Sequence, residues 1–554
     1  MTAQVACNEI FGIVSGEPST GGGGTGAAST QTSSVVGGTG GTGGTGGSTT
    51  ASTSSAGGTG GMTTSSSTGG NPCEGQNPPA PVGTPSTLRV PQSVGSDDGR
   101  GLAVDKDQNV IVVGSFTEGL NFGGGDLPYV GPPGYPDGNL FVAKYDSTGK
   151  HLYSRAFGGD EASLAEAVAT DSLGNVYVVG MFSGQIDFDG NILAAPNDPG
   201  EHRYDAFVLK LTPSLDVEWV KGYGQNPWQQ FALDVEVDSQ DNVIVAGALF
   251  DKADLGKGMI GQDQIWSSYL LKLNSTSGDT VWSQAFGYWS AATPNYFDYP
   301  SLGVAIAPDD DIVLGGTLNG MSYFLEVPIN TFGEEDAYVA RISPDGTSLR
   351  WLQTFHGDPG AGASEGGQWI GPVAVDACGD VLVAGAYTHS LSIGGVTQVV
   401  DIGDPKIPDG FVAKLAGDTG SVIWHNVFKD DGRQEPHALA TDAWGNVFVT
   451  GTLSDGDAYL GVDFGGAVGV LSPIVTPATP YRDDAFIVKY DRDGHALWGK
   501  RIGDDQLQAG YDLKVAPDGH VVWAGVFSGT IALGGGLPIA QTNNYDTFTV
   551  WLNP

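Results

Sequence analysis

Residues 166–182 read EAVATDSLGNVYVVGMF, and the same pattern returns six more times. It recurs as GLAVDKDQNVIVVGSF (101–116), LDVEVDSQDNVIVAGAL (233–249), GVAIAPDDDIVLGGTL (303–318), PVAVDACGDVLVAGAY (372–387), ALATDAWGNVFVTGTL (438–453) and LKVAPDGHVVWAGVF (513–527). Each copy is a short run of small apolar residues, a tight Asp/Gly/Asn turn, and an alternating strand closing on glycine. Those glycines are Gly114, Gly180, Gly247, Gly315, Gly385, Gly451 and Gly525, spaced 66 to 74 residues apart. A period this regular marks a repeat array.

Working outward, each unit continues with a long connection and a third strand: FVAKYD at 141, FVLKL at 207, YVARI at 338, FVAKL at 411, FIVKY at 486. A second tight turn leads to a fourth strand with an aromatic near its middle, as in HLYSRAFG (151–158), TVWSQAFG (280–287) and ALWGKRIG (496–503). Alternation bounded by turn residues is the hairpin signal. Four antiparallel strands in each of seven units predict an all-β, seven-bladed β-propeller. The first strand is expected to carry small residues because it crowds the axis, and the fourth the aromatics that fill the widening gap between blades. The ends support closure. Unit seven stops at FTVWLNP (548–554), a third strand, while Leu88–Gly95 is a fourth strand with no unit of its own. Pairing the two termini removes the open edges of the array, and Pro91 is tolerable on an outermost strand.

The fold therefore occupies 86–554, preceded by a remnant of a signal region (1–18) and a tether (19–85). Ser19–Gly70 is almost entirely Gly, Ser, Thr and Ala, which cannot offset the entropy of ordering its backbone. A linker of this kind reaches roughly 45 Å. Val5-Ala6-Cys7 resembles the end of a bacterial lipobox, with the basic and apolar segments of a full signal lacking upstream of it. Cys7 is accordingly a candidate for lipidation, and the alternative is an ordinary thiol. The remaining cysteines, Cys73 and Cys378, form no disulfide framework by spacing, and a bond between them would pin the tether to blade five. No apolar run of 18 residues exists to span a membrane.

The run D-x-x-G-N-V-Y-V-x-G, then D-A-F-V-x-K, then W-x-x-x-F-G resembles the bacterial surface β-propeller repeat known as SBBP. The resemblance covers all seven units and about 85% of the chain. It implies the propeller architecture and a cell-envelope or extracellular address, and it implies no activity.

Composition narrows the partners. With 63 acidic against 24 basic residues the net charge is -39, which repels phosphate backbones and excludes nucleic acid. A polar residue five before the third-strand cation repeats as Asn139, Asp205, Ser267, Asp336, Asp409, Asp484 and Asp546. The cation itself repeats as Lys144, Lys210, Lys272, Arg341, Lys414 and Lys489, then changes to Trp551. Features present in every blade serve the blade: the carboxylates are expected to bond strand amides, and the cations to lie along the sheet. Asp105–Asn109 resembles the start of a calcium loop but lacks its glycine and bidentate Glu, so it reads as a turn. Gly362–Gly366 matches G-x-S-x-G without the strand-to-helix elbow that motif needs. No metal site, cofactor signature or catalytic residue emerges.

Turns between strands one and two and between three and four are short. The connections from strand two to three and from blade to blade are long, read as irregular, and emerge on one face. Variable loops on a rigid scaffold are where binding concentrates. Tyr288, Trp289, Tyr296 and Tyr299, between blades three and four, are the richest set. Trp228, Trp369, Tyr129 and Tyr135 join them, and exposed aromatics suit sugar stacking or a protein hot spot. The expected function is a monomeric, tethered envelope module binding a glycan or protein on that face. The alternative, a propeller-type polysaccharide lyase or glycoside hydrolase, needs two carboxylates converging at the channel mouth. Asp160-Glu161 and Glu334-Glu335 supply acidic loops for it.

Overall fold

The computed structural model describes residues 83–553 apart from 132–137, 196–202, 225–227, 290–301, 319–320, 326, 332–334, 358–365, 401–406, 429–431, 455–460, 472–482, 505 and 535. Every regular element among them is a strand, and no helix is long and apolar enough to cross a membrane. Cys7 and Cys73 lie outside the described residues. Cys378 is disulfide-bonded.

Seven four-stranded antiparallel blades form a closed ring. Their innermost strands are Asp97–Val104, Ser163–Thr170, Gln230–Val237, Gly303–Ile306, Gln368–Val375, Gln434–Thr441 and Gln508–Val515. Each packs beside the next, and the seventh returns to the first. Blade seven is completed by Pro85–Arg89, which pairs antiparallel with the third strand, Ala540–Leu552: Leu88 opposes Val550 and Arg89 opposes Thr549. The closing strand thus lies a few residues earlier than the sequence suggested. Pro91 follows it, and Gln92–Ser93 pairs instead with Leu120–Asn121.

Blades are held to one another by two repeated devices. The aromatic of the fourth strand reaches the next blade's turn between strands three and four: Trp219 Nε1 donates to the Ser275 carbonyl at 3.0 Å, Trp351 to Gly417 at 2.7 Å and Trp424 to Arg492 at 2.9 Å. The turn must present a flat, bare surface to the indole. Gly420, at φ +70, would place a Cβ 2.6 Å from Trp351. In blade seven, Trp551 occupies the third-strand cation position and packs toward Gly149 of blade one, so the break in the cation series is a substitute for the missing clamp. In blades one, three and five the third-strand cation is buried against the carboxylate that shapes the turn between strands one and two, whereas Lys210 of blade two pairs with Glu218 at 2.8 Å. Lys144 pairs with Asp105 at 2.8 Å, Lys272 with Asp238 at 2.7 Å and Lys414 with Asp376 at 2.7 Å. Asp105 itself accepts the amides of Asp107 and Asn109, an Asx turn and not a metal loop.

The connections between strands two and three are more regular than their sequences suggested. In blades two, four, five and six they form small hairpins, and in blades three and seven they prolong the strands themselves. The blade-two hairpin, Gln185–Phe188 with Asn191–Ala194, adds to the outer edge of blade one, where Ile186 opposes Gly159. In blades one to six the connection buries an apolar plug near that rim: Phe122, Phe188, Leu255, Phe324, Ile393 and Phe464. These segments therefore cover outer strands, the liability of any blade, before they offer a surface.

Candidate functional site

The site grows from one backbone irregularity. In six blades the innermost strand carries a β-bulge opposite the repeated glycine of the second strand. A bulge leaves a residue unpaired and re-aims its side chain. The unpaired residues are Arg100, Glu166, Leu233, Gly371 with Pro372, His437 and Tyr511. The bulge presses the preceding carbonyl against the second strand. A Cβ on Gly114, Gly180, Gly385, Gly451 or Gly525 would overlap the carbonyl oxygen of Asp98, Leu164, Trp369, Glu435 or Ala509. That is why glycine closes this strand in blade after blade.

The axis is consequently not lined by small residues alone, as the first-strand composition had suggested. Blades six, seven, one and two present His437, Tyr511, Arg100 and Glu166 on one arc. Blades three and five present Leu233, Gly371 and Pro372 on the other. Three of these side chains, His437, Tyr511 and Arg100, are in contact. Arg100 pairs with Asp98 at 2.7 Å and lies 5.1 Å over the Tyr511 ring. Tyr511 stacks on His437 at 5.6 Å. His437 Nδ1 is 3.0 Å from the Gly510 carbonyl; donating there leaves Nε2 as an acceptor. Burial holds the imidazole down at about 4. Next to it, Arg433 bonds Asp483 at 2.6 Å and lies 3.9 Å from Glu435. Burial raises Glu166 and Glu435 above the usual carboxylate range, and Arg100 and Arg433 respectively oppose the rise.

Nearer the short-turn face, Asp234 and Glu236 of blade three and Asp512 of blade seven share the charge of Lys514. Two of these carboxylates are structural. Asp512 accepts the Leu102 amide at 2.7 Å and Asp234 accepts the Val304 amide at 2.8 Å, each tying its blade to the next.

The aromatic residues nominated from sequence do not assemble into one site among the described residues. Tyr288 and Trp289 end the fourth strand of blade three, opposite Ser267 and Trp266, and are not in a loop. Their side chains, with Tyr296, Tyr299 and Tyr135, lie outside the described residues. Trp228 is half-buried, packed edge-on to Phe250 at 5.1 Å with Arg203 4.7 Å over its ring. Tyr129 is half-buried against Phe116 at 6.2 Å. Trp369 is half-buried in the innermost strand of blade five, two residues before its bulge, which places it toward the mouth of the axis. Asp160 is engaged by the Gln185 amide at 2.6 Å, and Glu335 bridges to Gly367 in blade five, so these acidic loops do not meet.

A cavity of about 640 Å³ lies on the short-turn face between blades four and five, beside Cys378. Its charges satisfy one another: Arg341 bonds Asp309 at 2.7 Å, Asp311 at 3.1 Å and the Gly417 carbonyl at 2.7 Å. Among the described residues, no group of three His, Cys, Asp or Glu has the arrangement of a metal site.

The repeated third-strand carboxylates are buried; Tyr387 donates to Asp409 and Arg501 to Asp484. Burial raises Asp205 to about 8 and Asp97 and Asp234 to about 7. In the unfolded chain these groups ionise near their ordinary value, so above about pH 4 the folded state holds the extra protons. Their contribution is lost progressively as pH rises from about 4 to the folded-state values of about 7 to 8. His437 acts oppositely, but only below its ordinary value of 6.5. The melting temperature is therefore expected to fall between pH 6.5 and pH 8.5 in a differential scanning experiment. Asp205→Asn should flatten that fall, and an unchanged slope would contradict the assignment.

No family model matches this chain. It is 21% identical over 455 residues to an uncharacterized WD repeat-containing protein of Acanthamoeba polyphaga mimivirus, covering 70% of this chain. The chain spans 31% of that relative's length. Among solved structures, BamB from Moraxella catarrhalis aligns at 10% identity over 82% of this chain and 85% of that one, with a TM-score of 0.32. A catalytically inactive virginiamycin B lyase from Staphylococcus aureus, solved with quinupristin, aligns at 9% over 84% and 98%, with a TM-score of 0.37. At such values neither likeness bears on activity.

Proposed function

We propose that this chain is a tethered binding propeller of the bacterial cell envelope, engaging its ligand at the axial mouth on the long-connection face. One observation carries the reading. A scaffold that repeats nearly everything else carries a non-repeated set, Arg100, Glu166, His437 and Tyr511, at four of its six bulges. Residues that serve the blade recur in every blade; residues that differ at equivalent positions converging on one axis serve something else. Trp369 near the same mouth adds an aromatic surface for a sugar ring or a protein side chain.

The envelope address is supported by the SBBP-type repeats, by the low-complexity tether, and by the disulfide at Cys378, since such bonds persist in oxidising compartments. Cys7 is the proposed lipid anchor.

The test is a thermal-shift screen of the full chain against envelope polysaccharides and simple sugars, with basic peptides as candidate protein-like ligands. A ligand that binds only the folded state raises the melting temperature, by RT ln(1 + [L]/Kd) in free energy. A shift that Tyr511→Ala abolishes places binding at the axis. A flat screen removes the reading. A second reading, polysaccharide lyase or glycoside hydrolase, draws on the same arc, where Glu166, Glu435 and neutral His437 are non-repeated titratable groups. Following each hit for chain cleavage separates the two.

A further inference from the structure

The cations of the axial wall are already committed. Arg100 is held by Asp98 and by the Tyr511 face, and Arg433 by Asp483 and Glu435. Lys514 is shared among Asp512, Asp234 and Glu236. The acceptors are not matched in the same way. Glu166 is 9% exposed, is the unpaired residue of its bulge, and among the described residues makes no hydrogen bond or salt bridge, although the charge of Arg100 reaches it. A largely buried carboxylate to which no protein group donates is left for solvent or a ligand to satisfy, and a fold that wanted only packing there has Leu233 as its precedent one blade on.

Resting on the binding reading above, we propose that the axial channel is a receptor for a protonated amine or guanidinium group, with Glu166 as its acceptor. A guanidinium or ammonium supplies the donors that Glu166 and His437 Nε2 lack. The Tyr511–His437 stack offers ring faces of the kind that already hold Arg100. The apolar arc of Leu233, Gly371 and Pro372 suits the methylene stem of a long basic side chain. The net charge of -39 draws cations toward the mouth. A neutral polyol would satisfy the same acceptors without gaining from that field. The same chemistry is carried by a free diamine and by an Arg or Lys side chain on a partner protein.

The experiment is isothermal titration of the full chain at low salt with agmatine, with its neutral urea analogue 4-hydroxybutylurea, in which a hydroxyl also replaces the ammonium, and with a capped Gly-Arg-Gly peptide. Agmatine is expected to bind at least about tenfold more tightly than the urea analogue, and Glu166→Gln to weaken it about tenfold or more. Tighter binding of the peptide identifies a protein-borne side chain as the source; tighter binding of agmatine identifies a free amine. Equal affinity for agmatine and its urea analogue overturns the proposal on wild-type protein alone, whatever the variant's folding. So does unchanged affinity in a folded Glu166→Gln. Silence toward both cations beside a thermal shift from a neutral glycan overturns this inference and leaves the binding reading standing. Silence toward every ligand removes both.

Discussion

Removing residues 83–91 lowers the melting temperature by about 5 °C or more and turns the chain toward self-association. Pro85–Arg89 is the outermost strand of blade seven, and Leu88 is buried in the cluster that also holds Trp523, Phe548 and Val550. Losing a buried leucine costs about 2–5 kcal/mol. The deletion also removes the Ser86 hydroxyl bond to the Trp551 carbonyl at 3.1 Å and the Arg89 bond to the Gly149 carbonyl at 2.5 Å. Gly83 goes too, and with it the surface on which Trp498 of blade six packs. In a ring of this size each kcal/mol corresponds to roughly 1 °C, because the unfolding entropy scales with length. Ala540–Leu552 would then present an unpaired edge to other copies. Scanning fluorimetry and light scattering on the full chain lacking 83–91 measure both effects. Melting and mass identical to wild type would mean that blade seven closes by other means.

Gly180→Ala carries the second large effect, and it joins fold to site. A Cβ at Gly180 overlaps the Leu164 carbonyl and comes within 3.0 Å of the Phe207 ring. The carbonyl stands there because the bulge at Glu166 pushes it across the ladder. Relief requires straightening the innermost strand, and a one-residue change of register reverses which face each side chain takes. The substitution should cost about 3 kcal/mol or more, at the upper end for overpacking. It should also remove whatever ligand response Glu166 provides. The control is Gly394→Ala, in a hairpin turn at φ +60, where the nearest atoms are 3.4 Å away and the cost is about 1–2 kcal/mol of backbone strain. Equal melting temperatures for the two variants would show that the bulge is not the constraint.

Much of this was written in the chain. Seven glycines, seven turns and an unmatched strand at each end stated the number of blades and how the ring closes. The envelope of each blade was less legible. The connections between strands two and three look irregular, yet LNFGGG (120–125), IDFDGN (186–191), LSIGGV (391–396) and VDFGGA (462–467) share an apolar plug before a glycine-rich turn. That second repeat was the signal for rim hairpins, and it was masked by the uneven length of the loops around it. The axial residues were hidden for a different reason. Arg100, Glu166, His437 and Tyr511 differ in every blade, so a search for repeats passes over them, and a strand with period two gives no sign of where a bulge falls.

The architecture follows from the amino-acid order alone, because strand alternation, turn chemistry and a fixed period are local properties that each blade restates. The composition of the axial wall follows only from the folded ring. Whether Glu166 lacks a donor, and whether His437 meets Tyr511 and Arg100, depends on bulges in four separate blades aiming at one axis. That convergence comes from closing the ring, and residues more than 400 positions apart, such as Arg100 and Tyr511, become neighbours only then.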